Sequence, residues 1–181
     1  MPTKQIEHFI NPDAILEQLG MQQGMIVADL GCGAGYKTIS SAKIVGASGM
    51  VFAVDIQRHL LDNIASKAKI EGFSNIKTVW ADLEVVGSTR IAEDSCDMVI
   101  IANTLYQSRQ PEKIMEEAKR IAKPMGEIVV IDWKSVHIPL GPALANRITK
   151  ERVLEIAEQL NLTLDQDFIP SEFHYGLTFS K

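Results

Sequence analysis

The sequence has few cysteines, no long apolar run and no excess of positive charge, and each shortage narrows the possible functions. Its two cysteines, Cys32 and Cys96, show no metal-ligand or redox-motif spacing, so no metal is expected and a reducing compartment suits the chain. The apolar stretch at residues 98–102 is far too short to span a bilayer and reads as a buried strand. The segment Met1 to Glu7 is polar and lacks the apolar region of a signal peptide. A formal net charge of -5 gives no electrostatic reason to expect DNA or a membrane surface as partner. An RNA partner would need a local basic patch. A soluble, cytoplasmic protein is the expectation.

What is present is an ordinary globular mixture, with 46% hydrophobic and 23% charged residues among 181. That length suits one domain over residues 1–181, large enough to bury a core. Asn11-Pro12-Asp13 supplies a helix start, with Ile15, Leu16 and Leu19 on one face and Gly20 as a stop. Short apolar runs at 25–30, 49–55, 76–80, 97–102 and 127–132 predict five strands. Helical spacing predicts helices over 35–45, 57–71, about 111–122, and from about Thr149. Two closing strands fit 163–169 and 173–180. Near-continuous apolar strands alternating with amphipathic helices indicate a largely parallel α/β sheet covered on both faces. No internal repeat, low-complexity tract or linker interrupts it.

In such sheets ligands bind beyond the carboxyl ends of the strands, where strand order reverses. The first strand runs into Asp29-Leu30-Gly31-Cys32-Gly33-Ala34-Gly35. Glycines at alternate positions let the backbone turn sharply and approach a ligand, and the following helix points free N–H groups at it. The next three strands end on Asp55, Asp82 and Asn103. A bare strand-to-helix turn needs one or two glycines, so three with an acid two positions ahead favour a binding loop. The dinucleotide fingerprint Gly-x-Gly-x-x-Gly/Ala fails in both registers, because its last position falls on Tyr36 or Thr38.

The Gly-x-Gly-x-Gly spacing led by Asp29 instead resembles motif one of the class I S-adenosylmethionine-dependent methyltransferases. Val51-Phe52-Ala53-Val54-Asp55-Ile56 resembles the second motif, Trp80-Ala81-Asp82-Leu83 the third, and the segment from Asp97 to Asn103 the fourth. Met125 to Val130 and Tyr175 to Phe179 resemble the fifth strand and the terminal hairpin. The resemblance covers nearly the whole chain. It implies a Rossmann-like seven-stranded, mostly parallel sheet of order 3-2-1-4-5-7-6, with strand 7 antiparallel and helices on both faces. It also implies S-adenosyl-L-methionine as cofactor, held by Asp29, Gly31, Cys32, Gly33, Gly35, Asp55, Ile56, Asp82, Leu83 and Asn103. In these roles Asp55 takes the ribose hydroxyls and Ile56 one adenine face. Asp82 takes the adenine amino group, Leu83 packs on the ring, and the strand ending at Asn103 passes beside the methionine portion.

The acceptor side is less determined. Catalytic residues stay unassigned, with Tyr106 and His137 as candidates. Tyr106 either lines the pocket or caps the apolar edge of the next helix. His137 is either a base or a surface-loop histidine, the plainer role being favoured about two to one. Trp133 and Lys134 follow the fifth strand and should face the site. Residues 1–22, with His8 and Phe9, either close over the pocket as a lid or merely pack. His59 and His174 are read as structural, and Cys32 as a small residue in a tight loop. A small-molecule acceptor fits a chain with little room for a substrate domain, although the same fold accepts proteins and RNA. Alternatives are a non-catalytic S-adenosylmethionine-binding module, an NAD-dependent oxidoreductase, and an aminopropyl transferase using the decarboxylated cofactor. Oligomeric state is left open.

Overall fold

The computed structural model describes residues 12–137 and 141–181. Seven strands form one sheet: β1 Ile26–Leu30, β2 Met50–Asp55, β3 Ile76–Trp80, β4 Cys96–Ala102, β5 Ala122–Trp133, β6 Thr163–Ser171 and β7 His174–Ser180. Their order is β3-β2-β1-β4-β5-β7-β6. Neighbours among β1 to β5 pair in parallel, and β7 runs antiparallel to both β5 and β6. This is the expected Rossmann-like topology. Helices α1 Pro12–Gln18, α2 Tyr36–Val45, α3 Arg58–Glu71, α4 Pro111–Ile121 and α5 Lys150–Gln159 cover its faces.

The apolar runs fold this way because both faces of the central strands are buried. Val27, Val51, Met98, Ile100 and Val129 point to one face, where Ile15 and Leu16 of α1, Leu19 just past its end, and Ala42 and Val45 of α2 cover them. Farther along that face, Leu61 and Ile64 of α3 close over Ala53 and Cys32. The alternate residues Ala28, Leu30, Val99, Ile101 and Val130 meet Ile114, Met115 and Ala118 of α4 and Val153 and Ile156 of α5. Each fully buried aliphatic side chain contributes roughly 1.5–3 kcal/mol as an upper bound. Pro111 sits at the start of α4, and the Thr149 side chain accepts from Arg152 N–H at 3.1 Å to cap α5. The expected α1 cap, Asn11, lies outside the described residues, as do His8 and Phe9.

Strand β5 is longer than its apolar run, Glu127 to Asp132, predicts. It begins at Ala122, and the register against β4 slips between Cys96 and Met98. Lys123-Pro124-Met125-Gly126 forms the irregularity: Met125 has φ 66°, and a Cβ on Gly126 would lie 2.9 Å from Cys96 O. Lys123 pairs with Asp97 at 2.6 Å across it. A polar, proline-containing segment hides a strand from hydrophobic patterning.

The pairing levels the strand ends. Leu30 is opposite Val54 and Ile101, Asp55 opposite Trp80, and Ala102 opposite Ile131. Between β3 and β4 the chain crosses from the sheet's edge to the other side of β1. The carboxyl ends of β1 and β4 therefore flank the topological switch point.

Candidate functional site

Past Leu30 the chain turns sharply, with Gly31 and Cys32 N–H both donating to Val54 O, at 2.8 and 3.0 Å. Gly31, Gly33 and Gly35 all have positive φ, yet their surroundings differ. A Cβ on Gly31 would lie 2.4 Å from Thr104 Oγ1, and one on Gly35 would lie 2.6 Å from Ile64 Cγ1. A Cβ on Gly33 would meet no protein atom within 4 Å. Gly31 thus admits the β4 loop, Gly35 admits α3, and Gly33 faces open space.

Asp55 is fixed by backbone donors, Oδ2 taking Gly33 N–H at 3.0 Å and Oδ1 taking Gln57 N–H at 2.8 Å. A carboxylate has about four lone-pair sites, so both oxygens keep capacity for a ligand's hydroxyls. Ile56 is half exposed beside it, and its carbonyl is held from outside by Trp80 Nε1 at 2.8 Å, with Arg58 over the indole. Asp82 Oδ1 accepts Glu84 N–H at 2.9 Å, and Leu83 is buried. Glu84 Oε1 in turn accepts Ser108 Oγ at 2.6 Å and Arg109 N–H at 2.8 Å. These hydrogen bonds hold the Glu84 carboxyl below the usual range and tie the loop after β3 to the loop after β4.

Gly31, Gly33, Asp55, Ile56, Asp82 and Leu83 line one cavity of about 500 Å³, with Thr104 and Gln107. A second, of about 280 Å³, is lined by Asp29, Gly31, Cys32, Gly33 and Asn103, with Lys37, Tyr106 and Trp133. The two share Gly31, Gly33 and Gln107. Nine of the ten predicted cofactor residues therefore gather along one cleft. Gly35 lines neither cavity and serves helix packing.

In the second cavity Asp29 is buried, and its Oδ2 accepts Thr38 Oγ1 at 2.6 Å. Burial raises its pKa, opposed by the Lys37 charge and the Thr38 hydrogen bond. Asn103 has φ 56°, and its carbonyl accepts Gln107 Nε2 at 2.8 Å. Its Oδ1 is buried without a hydrogen-bond partner. An orphaned buried acceptor costs about 1–3 kcal/mol, so one carried by a cavity-lining residue suits a donor brought by a ligand. An adenosine bearing a methionine tail fits this set, with polar groups for the ribose, an open Gly33 and an acceptor for the ammonium.

The acceptor-side residues divide. Tyr106 is half-buried against the core and also lines the second cavity. Trp133 lines that cavity and stacks on His174 at a centroid distance of 4.2 Å. His174 is buried, with Nδ1 2.8 Å from Ser171 Oγ, and burial lowers its pKa to about 4. Lys134 turns away to Glu172 O at 3.0 Å. His137 is exposed and lines neither cavity, and His59 is exposed on α3. Sequence reasoning missed Lys37, Gln107 and the Glu84–Ser108–Arg109 tie. Neither Lys37, which reads as a solvated first-turn charge, nor the tie had a signal in the sequence.

A family model described as a methyltransferase domain matches residues 21–171. The chain belongs to that family. A demethylmenaquinone methyltransferase of Staphylococcus aureus is 26% identical over 134 residues, 74% of this chain and 54% of that protein. An arsenite methyltransferase of Aquipseudomonas alcaligenes is 31% identical over 135 residues, 72% of this chain and 38% of that protein. The chain thus spans about half or less of these relatives' length. The crystal structure of an S-adenosylmethionine-dependent methyltransferase from Aquifex aeolicus superposes with a TM-score of 0.89 at 25% identity, covering 97% of this chain and 92% of that one. Membership of this methyltransferase family removes the NAD-dependent oxidoreductase alternative. Among the described residues no helix is long and apolar enough to cross a membrane.

Proposed function

We propose that this methyltransferase-family chain moves a methyl group from S-adenosylmethionine to a small-molecule acceptor. The observation that carries the reading is the pair of cavities joined at Gly31 and Gly33, one edged by Asp55 and Asp82, the other by Asn103. Asp55 would hold the ribose hydroxyls. Ile56 and Leu83 would hold the adenine faces, Asp82 its amino group, and Asn103 Oδ1 the methionine ammonium. When bound, the cofactor supplies a methyl group on a positively charged sulfur, already activated for in-line attack.

The protein's task is then chiefly positioning, which can be worth ~7–11 kcal/mol when the attack geometry is right. Tyr106 and Trp133 wall the second cavity and would orient the acceptor and exclude water. A base is needed only for an acceptor that arrives protonated. A soft, thiol-seeking acceptor is poorly served here. Cys32 and Cys96 are both buried, at opposite ends of the β1–β4 pair, and burial pushes both thiols up. Two free, buried thiols also support a cytoplasmic setting.

Calorimetric titration with S-adenosylmethionine tests the cofactor half, with micromolar binding expected. Absence of binding would refute it. A screen of pooled metabolites with methyl-labelled cofactor tests the transfer half. A protein that binds cofactor yet labels no small molecule would refute the small-molecule acceptor.

A further inference from the structure

The second cavity contains a cation that the reading above leaves without a task. Among the described residues Lys37, in the first turn of α2, is the one cationic side chain in its wall. Among the described residues its amine has neither a hydrogen bond nor an ion pair. Asp29, the acid on β1, takes its hydrogen bond from Thr38 and acts on Lys37 only through space, its charge opposing the burial that lowers the Lys37 pKa. His174 is uncharged near neutral pH, and Cys32, Tyr106 and Trp133 add neutral side chains to the wall. Asn103, whose buried Oδ1 has no hydrogen-bond partner, lines the same cavity.

A lysine with no hydrogen bond, coupled to Asp29 only through space, and an acceptor without a donor, on residues that line one cavity, form the complement of an amino-acid zwitterion. We infer that Lys37 anchors the carboxylate of the cofactor's methionine portion, opposite Asn103, which takes its ammonium. The inference rests on the cofactor reading above and assigns a residue that the glycine-loop spacing does not reach. Two lone partners, each desolvated, gain by meeting the ligand. A decarboxylated cofactor would leave Lys37 desolvated and unpaired, so the site selects the intact amino acid and disfavours aminopropyl transfer.

The test is a ligand-by-mutant cycle in calorimetry, with no acceptor present, so that an acceptor's own anion plays no part. The probes are S-adenosylhomocysteine, its decarboxylated analogue, and 5′-methylthioadenosine, which lacks the amino-acid end. Wild type should bind the decarboxylated analogue roughly tenfold to a hundredfold more weakly than S-adenosylhomocysteine, the usual worth of a hydrogen bond to a charged group. Lys37→Met should bind both equally, at the weaker level, and bind 5′-methylthioadenosine as wild type does. Lys37→Arg should restore most of the difference. The inference is overturned if Lys37→Met binds S-adenosylhomocysteine as tightly as wild type. It is also overturned if Lys37→Met loses 5′-methylthioadenosine by the same factor. Wild type that ignores every adenosine probe would bring down the cofactor reading itself.

Discussion

Gly31 and Gly33 share a backbone conformation but not an environment, so alanine at each should give opposite phenotypes. Both residues have positive φ, where an L-residue costs about 1–2 kcal/mol. At Gly31 the new Cβ would also stand 2.4 Å from Thr104 Oγ1 and 2.6 Å from Thr104 Cγ2. Thr104 cannot simply swing away, because its one hydroxyl proton is held between Leu30 O and Ala102 O, each at 3.2 Å from Oγ1. Overpacking of this kind costs about 1–3 kcal/mol. Gly31→Ala should therefore lose about 2–5 kcal/mol of stability, read from denaturant midpoints at unchanged slope. Gly33→Ala should lose about 1–2 kcal/mol, the conformational cost alone. Its methyl would project into the cleft, so cofactor affinity should drop sharply while the sheet stays folded, and Gly33→Val should abolish binding. Thr104→Ala removes both clashing atoms and leaves Thr104 Cβ at 3.0 Å, so it should rescue Gly31→Ala and couple with it non-additively. Equal destabilisation by the two glycine variants, or additive Gly31 and Thr104 effects, would refute this division of roles.

Asp55→Ala should weaken cofactor binding strongly in calorimetry and lower stability modestly, since Gly33 and Gln57 N–H lose their acceptor. Glu117 is fully buried on α4, where it accepts Gly87 N–H at 2.7 Å and binds Thr89 and Arg120. Glu117→Gln should cost about 3–5 kcal/mol in chemical denaturation, as for other broken buried pairs. It should also weaken adenosine binding, because that cluster holds the helix-free crossover carrying Asp82 and Leu83. Asp132 is buried at the end of β5, and burial raises its pKa to about 7, opposed by hydrogen bonds from Trp133, Tyr106 and Leu105 N–H. The folded state then holds this proton more tightly than the unfolded chain, so its contribution to stability is greatest below about pH 4 and is lost by about pH 7. Denaturation of wild type between pH 5 and 8 should show that fall, and Asp132→Asn should flatten it. An unchanged slope in the variant would refute the assignment.

The legible parts of the sequence were those whose signal is local. Strands β1, β2 and β4 are nearly unbroken apolar runs that stop on a polar residue, so their ends, and with them Asp55 and Asn103, could be read directly. The glycine loop was legible because backbone freedom is a property of the glycine itself. What each glycine makes room for was not, because Thr104 and Ile64 are brought there by other elements. The same limit hid the clasp of Glu84 on Ser108 and Arg109, and the partners of Glu117. Lys37 is the instructive miss. A lysine in the first turn of a helix reads as a solvated charge, and only its shared cavity with Asn103 gives it a different meaning.

The two sides of the cleft are held by different means. On the donor side the parallel register of β1, β2 and β4 sets the positions, and the glycine loop is fixed to Val54 O and Asp55 by backbone hydrogen bonds. On the acceptor side, Trp133 leads into a loop whose carbonyls converge on one guanidinium. Arg147 donates to Lys134 O and Val136 O at 2.8 Å and to Pro142 O at 3.0 Å, and its charge stands 5.7 Å from the Trp133 ring centroid. Register is a collective property, which no single substitution resets. A loop gathered by one side chain can be rebuilt around other residues without disturbing the sheet. Under the proposed function, acceptor preference is therefore the part of this site free to change while the cofactor cleft stays as it is.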